Sequence, residues 1–188
     1  NLTNVDLSEV IVRKLAGGKS NTVTISGLDF TGTFRTENLD ASRTVTIVCD
    51  GPLRAGRIAL AADTALVGGN SIITTKSWDS YNGTWKPEQS TVILRDGGSA
   101  VLAPGQSFNR LEIASDDGRT ASWTMTATGT VSPTVTGLKS GMSYRWYLDG
   151  VEQGEIEADK DGTIALSYLS TGLHTLEVKP TSMTAAMD

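Results

Sequence analysis

Cysteine is almost absent from this chain: Cys49 is the only one among 188 residues. No disulfide can form within the chain, so its stability has to come from packing. Histidine is as scarce, with His174 alone. A zinc site built on His or Cys pairs is implausible on that count. A Ser–His–Asp arrangement would have to use that single base, and no nucleophile-elbow sequence accompanies it. There is no basic run, and the net charge is −5. Both weigh against a nucleic-acid partner, whose phosphates attract Lys and Arg. No apolar run is long enough to cross a bilayer as a helix. The chain opens at Asn1 without Met, which suggests a processed protein or an excised piece.

What the chain does have is glycine, threonine and serine. Thr and Ser recur on alternating positions, and apolar residues make up 38%, enough for a core but not a rich one. That mixture predicts an all-β protein with one face of its sheets in water. At this length it could be one medium domain or two small ones.

The most regular stretch is Thr136–Val178. Tyr144, Trp146 and Leu148 alternate with Arg145, Tyr147 and Asp149, the period of a half-buried strand. Asp149-Gly150 supplies a tight hairpin turn and Asp161-Gly162 a second. Ile164, Leu166 and Tyr168, then Leu176 and Val178, continue the alternation. The stretch reads as a small antiparallel sandwich.

Upstream, short β runs follow one another: NTVTIS, LDFTGTF, RTVTIVC, RIALAA, NSIITT, STVILR, SAVLA and FNRLEIA. Turn-rich pieces such as DGPLRAG, VGGN, DGG and APGQ separate them. Hairpins are one explanation; stacked coils of a parallel β-solenoid are the other. Several turns lack the two-residue hairpin form, which favours the solenoid. The opening LSEVIVRKLAGG could be a short helix stopped at Gly17-Gly18 or a strand. Its β-branched residues favour the strand. The expected organisation is a solenoid-like or sandwich-like stack over 1–115, a sandwich over 116–180 and a tail over 181–188. The linker between the first two would be Ala114–Thr120.

Two stretches resemble known material. Trp78, Trp85, Ser90-Thr91-Val92 and Phe108–Ile113 resemble a repeat of secreted bacterial and archaeal surface proteins with β-solenoid architecture. Gly137-Leu138, Tyr144, Asp149-Gly150, Ala158-Asp159, Asp161-Gly162 and His174–Val178 resemble the Ig-like module that often ends such proteins. The resemblance covers roughly the second half of the chain. It rests mostly on turn and core positions, so it specifies a scaffold and no reaction. It implies a non-catalytic protein, extracellular or at the cell surface.

Candidate sites are few. Trp78, Tyr81 and Trp85 lie close together around Asn82-Gly83. They could be a hairpin capped by aromatics, or exposed rings that stack on a sugar. Asp159, Asp161 and Gly162 form part of a calcium-loop pattern, without the later bidentate Glu that a full loop needs. Asn1-Leu2-Thr3 and Asn82-Gly83-Thr84 match the N-glycosylation acceptor pattern. The carboxylate pairs Asp116-Asp117, Glu155/Glu157 and Asp159/Asp161 sit in turns or on outward positions and read as solvated faces. His174 shares a face with Leu176 and Val178 and reads as a core histidine. Cys49 reads as a buried, inert thiol. Val5, Val10, Ile11 and Val12 belong to an apolar segment, Val5–Lys14, with no evident partner in its own chain. It could cap its own stack or add to a neighbour's open edge. No catalytic residue and no cofactor is expected. The function expected is structural, through contacts with copies of itself or with neighbouring surface modules. The rivals are a carbohydrate-binding or adhesion module and a fragment of a β-helix polysaccharide lyase or hydrolase.

Overall fold

A computed structural model describes residues 8–14, 21–40 and 43–181 of the chain. Every regular element among them is a β-strand, and the strands wind into a β-solenoid of about 5 turns. Three stacks of parallel strands form its walls.

The first wall begins with β1 (Glu9–Lys14) and continues through β4 (Thr33–Asn38) to the second halves of β6 (Leu53–Ala59), β8 (Ile72–Asp79) and β10 (Thr91–Val101). β12 (Ala121–Val131) follows. The second wall stacks β3 (Leu28–Asp29) on the first halves of β6, β8 and β10, then adds β11 (Arg110–Ala114) and β13 (Pro133–Thr136). The third wall is a separate sheet of β2 (Asn21–Ile25), β5 (Val45–Cys49), β7 (Thr64–Val67) and β9 (Thr84–Lys86).

The pattern of apolar residues explains the winding. Leu53, Ile73, Val92 and Leu111 stack in register on the second wall, all buried. Ile47, Leu66 and Trp85 do the same on the third. Phe34, Ile58, Trp78 and Ala100 do so on the first. Each strand turns one side inward and the other to water, and each coil lies on the inward row of the one before.

The corners need close backbone contact. At Gly56 a Cβ would come within 2.1 Å of the Thr31 carbonyl oxygen, so only glycine lets β6 bend from one wall to the next. Corner hydroxyls also bridge coils. Ser71 Oγ donates to the Cys49 carbonyl and accepts from Gly51 N–H, at 2.9 and 3.2 Å. One coil further on, Ser90 Oγ caps the Pro87 carbonyl at 2.7 Å. Both of these buried serine hydroxyls keep partners, as most buried polar groups do.

The end beyond β13 is antiparallel. β14 (Ser143–Leu148) and β15 (Val151–Glu157) form a hairpin. β16 (Ile164–Ala165) pairs with β13, and β17 (Tyr168–Pro180) pairs with both β12 and β14. Asp149 and Gly150 both have positive φ, 50° and 78°, as the central pair of a two-residue hairpin turn requires. These strands extend the solenoid's own walls. A single hydrophobic cluster runs from Leu28 to Val178, and the turn 115–120 joins β11 and β12, whose Ile113 and Ala121 both belong to it.

Asp117 builds that turn. Its Oδ1 accepts the N–H groups of Arg119 and Thr120, each at 2.7 Å. Its Oδ2 accepts the Thr120 hydroxyl at 2.8 Å. The backbone donors of Thr120 and Arg119 favour the charged carboxylate and pull its pKa down to about 2. A depressed folded-state pKa contributes stability above the ordinary 3.8 and loses it as pH falls toward 2. Asp117→Asn should therefore be less stable than the wild type at neutral pH. The gap should close between pH 4 and 2, read from urea midpoints across that window. A gap that stays constant down to pH 2 would mean that the charge is not what holds the turn.

Candidate functional site

Two of the three aromatic residues around Asn82, Trp78 and Trp85, face inward. Trp78 lies on β8 and Trp85 on β9, with relative exposures of 1% and 4%. Their rings meet edge to face at 4.7 Å, and Phe108 closes the cluster 5.5 Å from Trp78. The Trp78 indole N–H donates to Ser80 Oγ at 3.1 Å, and Ser80 donates on to Gln106. A ring that stacks on sugar needs an open face, which Trp78 and Trp85 lack, so of the two alternatives the sugar-stacking one is corrected for these two residues. Both belong to adjacent walls of one core, with no hairpin between them. Only Tyr81, at 57%, is exposed. Asn82 is exposed in the same turn, while Asn1 and Val5 lie outside the described residues.

The other candidates resolve into local structure. Asp159 Oδ1 accepts the N–H groups of Asp161 and Thr163, both at 2.9 Å, so this carboxylate holds its own turn. Asp161 is exposed and pairs with Lys160 at 2.8 Å. Among the described residues no group of three or more His, Cys, Asp or Glu is placed to hold a metal ion. His174 is half-buried, and its Nδ1 lies 2.7 Å from Asp149 Oδ2. Asp149 Oδ1 also accepts the Thr175 N–H at 2.8 Å. That backbone donor and then the imidazole hold the Asp149 carboxyl below the usual carboxylate range. The pair ties the β14–β15 turn to β17. Cys49 is buried, and burial pushes its thiol up to about 11, where little thiolate exists at neutral pH.

Grooves do exist along one corner. Two of them, about 680 and 590 Å³, share Asp50, Gly51, Pro52 and Ile72. Both take in the exposed Ile72, and the second is also lined by Asp29 and Arg54, which lie 3.8 Å apart.

The remaining features are the ends of the large sheet. β1 begins it and β15 ends it, and each pairs with one neighbour among the described residues. β1 lies parallel on β4, Glu9 beside Thr33 through Lys14 beside Asn38. Of the segment Val5–Lys14, which could cap its own stack or add to a neighbour, Glu9–Lys14 thus lies on its own stack. Val10 and Val12 pack against the core, and Ile11 lies on the opposite side. That outer side carries a charged network: Arg35 pairs with Glu9 and Glu37, and Arg13 with Glu37. At the far end Arg145 lies 3.7 and 3.9 Å from Glu152 and Glu155 of β15. The sequence pattern showed the β1 strand but not its pairing, which depends on a coil closing over intervening residues.

No protein-family model matches the chain, and neither a curated protein nor a solved structure is significantly similar to it.

Proposed function

We propose that this chain is a non-catalytic structural protein that assembles through β-strand contacts at the ends of its main sheet. The observation that carries this reading is the pair of end strands, β1 and β15, each with one partner strand among the described residues. An open edge offers a row of backbone N–H and C=O groups to another chain, and monomers usually cover or blunt such edges. The stacked coils form a rigid rod with a solvated Thr- and Ser-bearing outer face, suited to spacing and contact. Ser77, Ser99, Thr124 and Thr175 lie in register across four neighbouring strands of that face. The resemblance of its second half to surface β-solenoid proteins supports a setting at the cell surface or in an extracellular polymer. The terminal antiparallel strands would then be the Ig-like module of that resemblance.

Sedimentation velocity and electron microscopy of the purified chain test the reading. Concentration-dependent assembly into dimers or longer objects is the expected result. A single monomeric species at every concentration would overturn it. So would turnover of a polysaccharide that one carboxylate substitution abolishes.

A further inference from the structure

Of the two end strands of the main sheet among the described residues, β1 is the one whose side chains complement a copy of itself. On β15 the outward side carries Glu152, Glu155 and Glu157, in register with Tyr147, Arg145 and Ser143 of β14. Two such edges brought together would set carboxylate against carboxylate, a pairing that costs stability. The β15 edge is thus blunted against its own kind. Joining β15 to a neighbour's β1 would set these three acids against Glu9 as well as Arg13, four carboxylates for one base.

The β1 edge has the opposite character. Its outer side presents Glu9, Ile11 and Arg13, and its inner side Val10 and Val12. An antiparallel pair of β1 strands centred on Ile11 sets Glu9 opposite Arg13 of the second copy. Arg13 faces the second Glu9 by symmetry, Val10 faces Val12, and Ile11 faces itself. Every outer residue meets an outer residue and every inner one an inner one, so the faces of the sheet are kept across the junction. Acid meets base twice. The valines of both copies continue one apolar row. The new ion pairs also join the existing ones, because Glu9 already contacts Arg35 and Arg13 already contacts Glu37.

We propose that β1 is the interface of a closed two-fold dimer, formed by antiparallel pairing of Glu9–Arg13 with the same segment of a second copy. This rests on the reading that the chain assembles through its strand edges, and it names which edge. A two-fold contact uses the same patch on both partners, so it closes after two copies. With β15 blunted, the rod stops at a dimer about twice as long.

The two-fold register supplies its own probe. In the full chain, Ile11→Cys sets two thiols opposite each other. Directly opposed Cβ atoms of an antiparallel pair lie about 4.5–5.5 Å apart, close to the roughly 3.5–4.5 Å a disulfide spans. Cys49 is buried and leaves the background quiet. Under mild oxidation Ile11→Cys should give a disulfide-linked dimer that dithiothreitol dissolves, while Gln153→Cys on β15 forms no cross-link. Ile11→Lys, which places two ammonium groups on the axis, should weaken self-association at least tenfold by sedimentation, with an unchanged circular dichroism spectrum. If the chain self-associates but Ile11→Cys does not cross-link, or Gln153→Cys cross-links equally, the β1 interface is wrong and edge assembly survives. If the wild type is a monomer at every concentration, both fall together.

Discussion

Trp78→Ala should lower the unfolding free energy by about 3–5 kcal/mol, the range for removing a fully buried Trp. The indole is 1% exposed and touches Trp85 and Phe108, so its loss opens a cavity between two walls of the solenoid. It also leaves Ser80 without the N–H that donates to it. Tyr81→Ala, three residues away and 57% exposed, should stay within about 0.5 kcal/mol of the wild type. Urea midpoints with a shared m-value decide the matter. Equal effects at the two positions would mean that Trp78 is not a core residue. A second comparison concerns the terminal strands. The alternation of Tyr144, Trp146 and Leu148 suggested three equivalent core residues, yet only Tyr144 is fully buried. Trp146 and Leu148 are half-buried: Tyr144 lies beside Ile156 of β15, whereas Trp146 lies beside Gly154, which has no side chain to cover it, and Leu148 beside the exposed Val151. Tyr144→Ala should therefore cost more than Trp146→Ala, despite the larger ring at position 146.

These residues also show why some of the architecture could be read from the chain and some could not. Alternation identified most strands, because inward and outward residues differ in every coil: Val45, Ile47 and Cys49 are buried while Thr46 and Val48 are less so. Glycine-rich pieces were harder. DGPLRAG and DGG look like breaks between strands, yet Gly56 lies inside β6, and Asp96–Gly98 inside β10. In a solenoid a corner can be a bend in a continuing strand, so the same residues that end a hairpin strand here only redirect one. The short β7, Thr64–Val67, was missed because three of its four residues are buried, which hides the alternation. Exposure of an aromatic residue is not written locally either. Trp85 alternates with Thr84 and Lys86 as an inward residue would, but its neighbours Trp78 and Phe108 reach it from other coils. The charge pattern of Glu9–Arg13 was visible throughout. Its meaning depended on knowing that Glu9, Ile11 and Arg13 share the outer side of an end strand.

Gly162→Ala should be among the most damaging single-methyl changes in the chain. Gly162 has a φ of +70°, where an L-residue pays roughly 1–2 kcal/mol for the left-handed conformation. A Cβ there would also lie 2.1 Å from the Leu138 carbonyl oxygen and 3.1 Å from its carbon. Those atoms cannot simply move aside, because Leu138 N–H donates to the Gly162 carbonyl at 3.0 Å and its side chain is buried in the core. Gly150 provides the control. Its φ is +78°, yet nothing lies within 4 Å of its Cβ position. Gly150→Ala therefore isolates the conformational cost, about 1–2 kcal/mol, and the Gly162 substitution adds a backbone collision to it. We expect Gly162→Ala to lose more than about 3 kcal/mol, beyond the strain range for a single residue, and to melt well below Gly150→Ala. If the two variants unfold at the same urea concentration, the turn after Asp161 relaxes freely and the tight contact between Gly162 and Leu138 does not anchor the end of the solenoid. If Gly162→Ala alone is crippled, that contact is what locks the β13–β16 pair onto the last parallel coil.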